Sequence, residues 1–276
     1  MATTSTQQTL HVDGLTVAYV DEGEGPPLLL LHGWPTSSLL YREITPVLAK
    51  GHRVIVPDLP GFGASSKPVD RRYSFELFGS VLDALVERLG LDDLGLVVHD
   101  LGGPIGVHWA LHRPGRVSRL ALLNTLLYPD FDPTVLDFFT RLMDENRREE
   151  LVSEEGLHAI LRVGVSDPDS LSAEALKGIT APFETPQDRR ALALAGIGLH
   201  PGGFADIARL LPGLEIPVLG LYGTDDRILP DVAETFEHVK RDVPHAEIEG
   251  LPRAGHFLQE EVPGVITERL ARFFAG

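Results

Sequence analysis

The sequence predicts an α/β domain on a mostly parallel sheet, with an all-helical block inserted in its second half, and three observations predict it. Short, fully apolar runs alternate with segments whose apolar residues recur every three or four positions. After residue 125 the alternation stops, and amphipathic segments broken by proline take over. Near residue 214 it resumes and runs to the end. Of the 276 residues 43% are hydrophobic, enough to fill a sizeable core. The formal net charge of −16, from 40 acidic against 24 basic residues, repels phosphate backbones and anionic membrane surfaces. Neither nucleic acid nor membrane is therefore an expected partner. The absence of cysteine excludes disulfides, thiolate metal sites and a thiol nucleophile.

Residues 1–9 are polar and Thr/Gln-rich, lack the basic and apolar regions of a secretory signal, and read as a flexible tail. No apolar run approaches the ~20 residues of a membrane-spanning helix, so a cytoplasmic location is the default expectation. Residues 10–12 and 16–20 alternate in polarity around Asp13-Gly14 and predict a hairpin. Runs 28–31, 54–56, 94–98 and 120–123 read as strands buried on both faces, separated by helical patterns at 39–49, 75–89 and 105–112. The block 126–213 contains amphipathic segments near 135–143, 156–163, 171–179, 189–195 and 204–210. Acidic residues crowd its first third, from Asp130 and Asp132 to Glu154 and Glu155, and predict a solvated face. A strand at 218–222, a helix at 232–239, a strand near 246–249 and a helix at 262–274 close the chain. Residues 10–125 and 214–276 thus build one core around the 126–213 insertion.

In an open parallel sheet, functional groups gather at the carboxyl ends of the strands. Asp100 ends an apolar run and is followed by Leu101-Gly102-Gly103 and a helical pattern, a strand–turn–helix that presents a carboxylate to the helix amides. The plain alternative is a helix-capping aspartate. His32-Gly33-Trp34-Pro35 follows the 28–31 run, leaving the Trp34 amide free to form an oxyanion hole with that of Leu101. Asp225 and Asp226 follow the 218–222 run. Asp226 is the better inward-facing candidate, and Asp225 suits the turn or solvent. His256 is presented from a loop before the last helix. Nucleophile, acid and histidine therefore occur in that order, each at a strand end.

On His32-Gly33-Trp34-Pro35-Thr36, the run Asp58 to Ser65, His99-Asp100-Leu101-Gly102-Gly103, Gly223 to Asp226 and Gly255-His256-Phe257, the chain resembles the α/β-hydrolase superfamily. Within it, the resemblance is to the aspartate-nucleophile branch of haloalkane dehalogenases and epoxide hydrolases. It implies an α/β-hydrolase fold whose block 126–213 is a cap over the active site. It also implies a catalytic set of Asp100, Asp226 and His256, with Trp34 and Leu101 at the oxyanion or halide hole. Asp100 would displace a leaving group from a saturated carbon and become an alkyl ester. Water activated by His256, which Asp226 orients, would then hydrolyse that ester. The implied partners are a small apolar organic substrate and water, with halide as a product. No cofactor is expected.

The leaving group divides the branch. Epoxide hydrolases of this kind usually donate a proton from two cap tyrosines, whereas the block here has only Tyr128. The Val97-Val98-His99-Asp100 and Leu122-Leu123-Asn124-Thr125 stretches resemble dehalogenases, which favours halide. Dehalogenases, however, typically carry a halide-binding tryptophan where this chain has Leu101. The tryptophans are Trp34, whose indole N–H suits an anion, and Trp109, which reads as core. A non-catalytic hydrolase-fold binder of small ligands is the third reading, and the complete triad opposes it. His108 and His112 are spaced for one helical face, but no third ligand joins them in the sequence. They read as helix surface, with no metal expected.

Overall fold

The computed structural model describes residues 7–275. Eight strands form one sheet in the order β1-β2-β4-β3-β5-β6-β7-β8. β1 (Gln8–Val12) and β2 (Leu15–Glu22) make the expected hairpin, with Asp13 and Gly14 at φ 49° and 79°, as a two-residue turn matched to strand twist requires. β1 starts inside the stretch expected as tail. Gln8 and Thr9 pair with Tyr19 and Ala18, so ladder hydrogen bonds order them despite their polar side chains; residues 1–6 lie outside the described ones. β2 is antiparallel to β4 (Arg53–Pro57). The remaining pairings, among β3 (Pro27–Leu31), β4, β5 (Leu94–Asp100), β6 (Val117–Thr125), β7 (Val218–Gly223) and β8 (Glu247–Leu251), are all parallel.

Alternation along these doubly buried strands fills two cores. Leu29, Leu31, Leu96, Val98, Leu120 and Leu122 point to one face, covered by α2 (Phe75–Leu89), α3 (Gly102–Leu111) and α10 (Val232–Asp242). Leu28, Leu30, Val97, Ala121 and Leu123 point to the other, covered by α1 (Thr45–Leu48), α11 (Leu258–Glu261) and α12 (Pro263–Phe274). The helix expected over 39–49 is two pieces, a 3₁₀ turn at Ser38–Tyr41 and then α1, because Pro46 lacks the N–H of a helix interior and starts a new helix instead. Trp109 is buried on α3, its indole donating to Asp83.

The insertion is helical throughout its regular structure. It comprises α4 (Pro133–Met143), α5 (Glu145–Leu151), α6 (Glu154–Val163), α7 (Ala173–Thr180), α8 (Pro186–Gly196) and α9 (Pro201–Leu210), with short 3₁₀ turns between and after them. Helix α5 carries no periodic apolar signal and buries none of its residues, so the acidic face is solvated as expected. Two of the acidic residues have a further job. Asp132 and Asp144 accept backbone N–H groups at the starts of α4 and α5.

Candidate active site

β5 ends at Asp100, whose φ of 48° is left-handed, a strained conformation for a residue with a side chain. The turn is held from β6, where the Thr125 hydroxyl donates to the Asp100 carbonyl at 2.7 Å. Two glycines make room. A Cβ at Gly33 would overlap the Asp100 carboxylate, and one at Gly103 would overlap the Thr125 side chain.

The Trp34 amide donates to Asp100 Oδ1 at 2.7 Å, and the adjoining Leu101 amide further favours the ionised carboxylate. His32 fixes the loop that carries Trp34. Its Nδ1–H donates to the Gly33 carbonyl at 2.9 Å, and its Nε2 accepts from the Leu59 amide at 3.0 Å. The neighbouring run from Asp58 is scaffolding, since the Asp58 carboxylate accepts from the Ser38 and Ala64 amides and braces both loops.

At the end of β7, Asp226 Oδ1 accepts from the Ile228 and Leu229 amides, while Oδ2 accepts from His256 Nδ1 at 2.9 Å. His256 Nε2 lies 3.5 Å from Asp100 Oδ2. Asp100, His256 and Asp226 thus form one line. Asp225 points elsewhere, accepting from the Ser166 hydroxyl of the insertion. Burial pulls the His256 pKa down, but the Asp226 and Asp100 carboxylates outweigh it and push the group up to about 10. Burial likewise raises the Asp100 carboxyl, and the charge and hydrogen bonding of His256 hold it below its ordinary value. His99 donates from Nε2 to the His256 carbonyl at 2.9 Å, and desolvation drops its pKa to about 4, so it stands neutral beside the pair.

Two supports of this line are not evident from the sequence. Asn124, at the end of β6, donates to Asp226 Oδ2 at 2.6 Å and to the Gly255 carbonyl at 3.3 Å, and accepts from the Gly223 amide at 3.0 Å. The Gly164 carbonyl, from the insertion, accepts the His256 amide at 2.6 Å. An asparagine ending a buried strand is the one signal the sequence offers for the first. For the second it offers none.

Above Asp100 lies a cavity of about 790 Å³, walled by Trp34, Leu101, Val135, Phe138, Phe204 and Ile228 among other mainly apolar residues. The sequence allowed the Trp34 indole as a halide donor. The fold uses it differently, because its N–H donates to the Leu192 carbonyl of α8 at 3.1 Å, where Gly196 lets the ring approach the helix. Tyr128 does not line the cavity either, its hydroxyl donating to Asp242 at 3.0 Å. The site therefore offers a carboxylate already ionised, a histidine–aspartate pair beside it, the Trp34 amide on the carboxylate with that of Leu101 adjoining, and a mainly apolar enclosure. Such a set can attack an electrophilic carbon and later activate water against the ester formed.

A family model described as alpha/beta hydrolase fold matches residues 26–263, and the chain belongs to that family. Haloalkane dehalogenases and epoxide hydrolases are among its relatives. The chain is 32% identical to "Haloalkane dehalogenase 2" of Mycobacterium tuberculosis, over 94% of this chain and 91% of that protein. It is 30% identical to "Cis-3-alkyl-4-alkyloxetan-2-one decarboxylase" of Shewanella oneidensis, over 96% of this chain and 86% of that protein. Among solved structures, the epoxide hydrolase CorEH superposes with a TM-score of 0.86 at 26% identity, covering 98% of both chains.

Proposed function

We propose that this protein is a hydrolase acting through an alkyl ester on Asp100, and that its reaction is hydrolytic dehalogenation of apolar haloalkanes to alcohol and halide. The observation that carries this reading is the surroundings of the Asp100 carboxylate. One oxygen accepts the Trp34 amide, the other lies against His256, and the neighbouring wall is mainly apolar. An ionised carboxylate needs no base before attack. His256 and Asp226 serve the second step, as water adds to the ester carbonyl and the Trp34 and Leu101 amides stabilise the oxyanion.

The leaving group must then depart without a tyrosine or tryptophan donor, Thr134, Thr140 and the exposed Arg227 being the polar groups of the lining that can meet it. No tyrosine lines the cavity, Leu101 has no side-chain donor, and the Trp34 indole is engaged with Leu192. An opening epoxide needs a proton and is disfavoured. Bromide and iodide are weak bases and leave without one, which favours them over chloride. The oxetanone relative supports a second reading, because attack on the alkyl carbon of a four-membered lactone expels a carboxylate, also a weak base. The size of the cavity suits chains longer than two or three carbons, at about one cavity's worth of a drug-sized ligand.

Purified protein incubated in parallel with 1-bromohexane, styrene oxide and a cis-dialkyl β-lactone tests the choice. Bromide release, with no diol and none in Asp100→Asn, is the expected result. Diol as the main product overturns the dehalogenase reading, and turnover of the lactone alone replaces it with the second.

A further inference from the structure

Outside the cavity, the fold completes a constellation that the sequence leaves unfinished. His108 stands in the last turn of α3 and His112 caps its C-terminus, their ring centroids 4.2 Å apart. Asp206, on α9 of the insertion, packs over them. One donor atom from each of the three side chains lies within 4.8 Å of the others. We infer that His108, His112 and Asp206 form a site for a divalent transition metal of the zinc class, clasping the inserted helix α9 to core helix α3.

The donor chemistry selects the ion. Two imidazoles and one carboxylate suit Zn²⁺ or Co²⁺, with water as a fourth ligand, whereas Mg²⁺ and Ca²⁺ require mostly oxygen. Two histidines at i and i+4 present nitrogens on one side of a helix, the spacing used in helical zinc sites. The second contacts of the set are already in place. His112 Nδ1 donates to the His108 carbonyl at 2.8 Å, which leaves Nε2 as the metal-binding nitrogen. Arg209 engages Asp206 Oδ1 at 2.7 Å, leaving the other carboxylate oxygen for the ion.

Tetrahedral zinc ligands at ~2.0–2.1 Å from the metal stand about 3.3 Å apart, so donors within 4.8 Å of one another need to draw together by no more than about 1.5 Å. His112 is exposed and Asp206 half-buried, so side-chain rotation can supply that movement. Closure would fix α9, whose Phe204 and Pro201 form part of the cavity wall, against the helix that follows Asp100.

The test uses chelator-treated, dialysed protein titrated with Zn²⁺, Co²⁺ or Mg²⁺. Calorimetry should give one Zn²⁺ per chain, and Co²⁺ should develop the intense visible bands of a tetrahedral site. Zn²⁺ in 100-fold excess over Kd should raise Tm by about 5 °C, with no response to Mg²⁺. Asp206→Ala and His112→Ala, both at accessible positions, should each weaken Zn²⁺ binding at least tenfold while retaining the circular dichroism of the parent. Absence of Zn²⁺ binding overturns the site, and so does binding of equal affinity in both variants, which would place the ion on other histidines.

Discussion

At the scale of single residues, the proposed chemistry concentrates on one proton. While Asp100 is ionised, two carboxylates hold His256 as imidazolium, and a protonated ring is no base. Esterification of Asp100 removes one of those charges, so formation of the intermediate itself lowers the affinity of His256 for its proton. The ring becomes competent for the second step only after the first has occurred. His256→Phe should therefore form the ester and stop, and intact mass after incubation with 1-bromohexane should rise by one hexyl group; an unshifted mass would remove Asp100 as the nucleophile. The same group ties stability to pH. Its pKa is raised from 6.5 to about 10 on folding, so its stabilising contribution is complete below about pH 6.5 and is lost as pH rises through about 10. Tm of the parent should fall across that window, and Tm of His256→Phe should lack that fall.

Strand ends and helix starts set the precision of the site. The carboxylate of Asp226 is fixed by two amides of its own turn and by Asn124, which ties the end of β6 to β7 and to the loop carrying His256. Asn124→Leu leaves the Gly223 amide buried without its acceptor, which costs about 1–3 kcal/mol and should lower Tm by several degrees. If Asn124 positions the acid, ester hydrolysis should slow at least tenfold while ester formation is nearly unchanged, a split that rapid quench resolves and a purely structural defect would not produce. The strands and the order of Asp100, Asp226 and His256 were legible, because apolar runs and the acidic or glycine residues that end them are local signals. Asn124 was not legible as a support, since its three partners come from distant segments. The helix expected over 39–49 shows the converse. Its apolar spacing was real, but Pro46 divides it, and periodicity alone does not register a missing N–H.

Across the whole molecule, the insertion both closes the site and supports it. Its Gly164 carbonyl holds the His256 amide, and Glu261 accepts from Gly255 of the histidine loop and from Ser166 of the insertion. The helical character of this block was readable from the lapse in strand rhythm, whereas the cavity beneath depends on how its helices pack and left no trace in any one segment. That packing exposes Leu136, Met143 and Val163 to 49%, 57% and 47% while they line the cavity, an apolar rim open to solvent. Each methylene of a substrate buried there gains about 0.8 kcal/mol, so a rim in contact with three or four of them changes affinity by roughly two orders of magnitude. A short substrate held beside Asp100 would not reach it. Leu136→Glu with Met143→Glu should therefore raise KM for 1-bromodecane at least tenfold and leave kcat and KM for 1-bromobutane within twofold. Equal losses on both substrates would mean that the rim supports the fold of the insertion rather than the far end of a long chain.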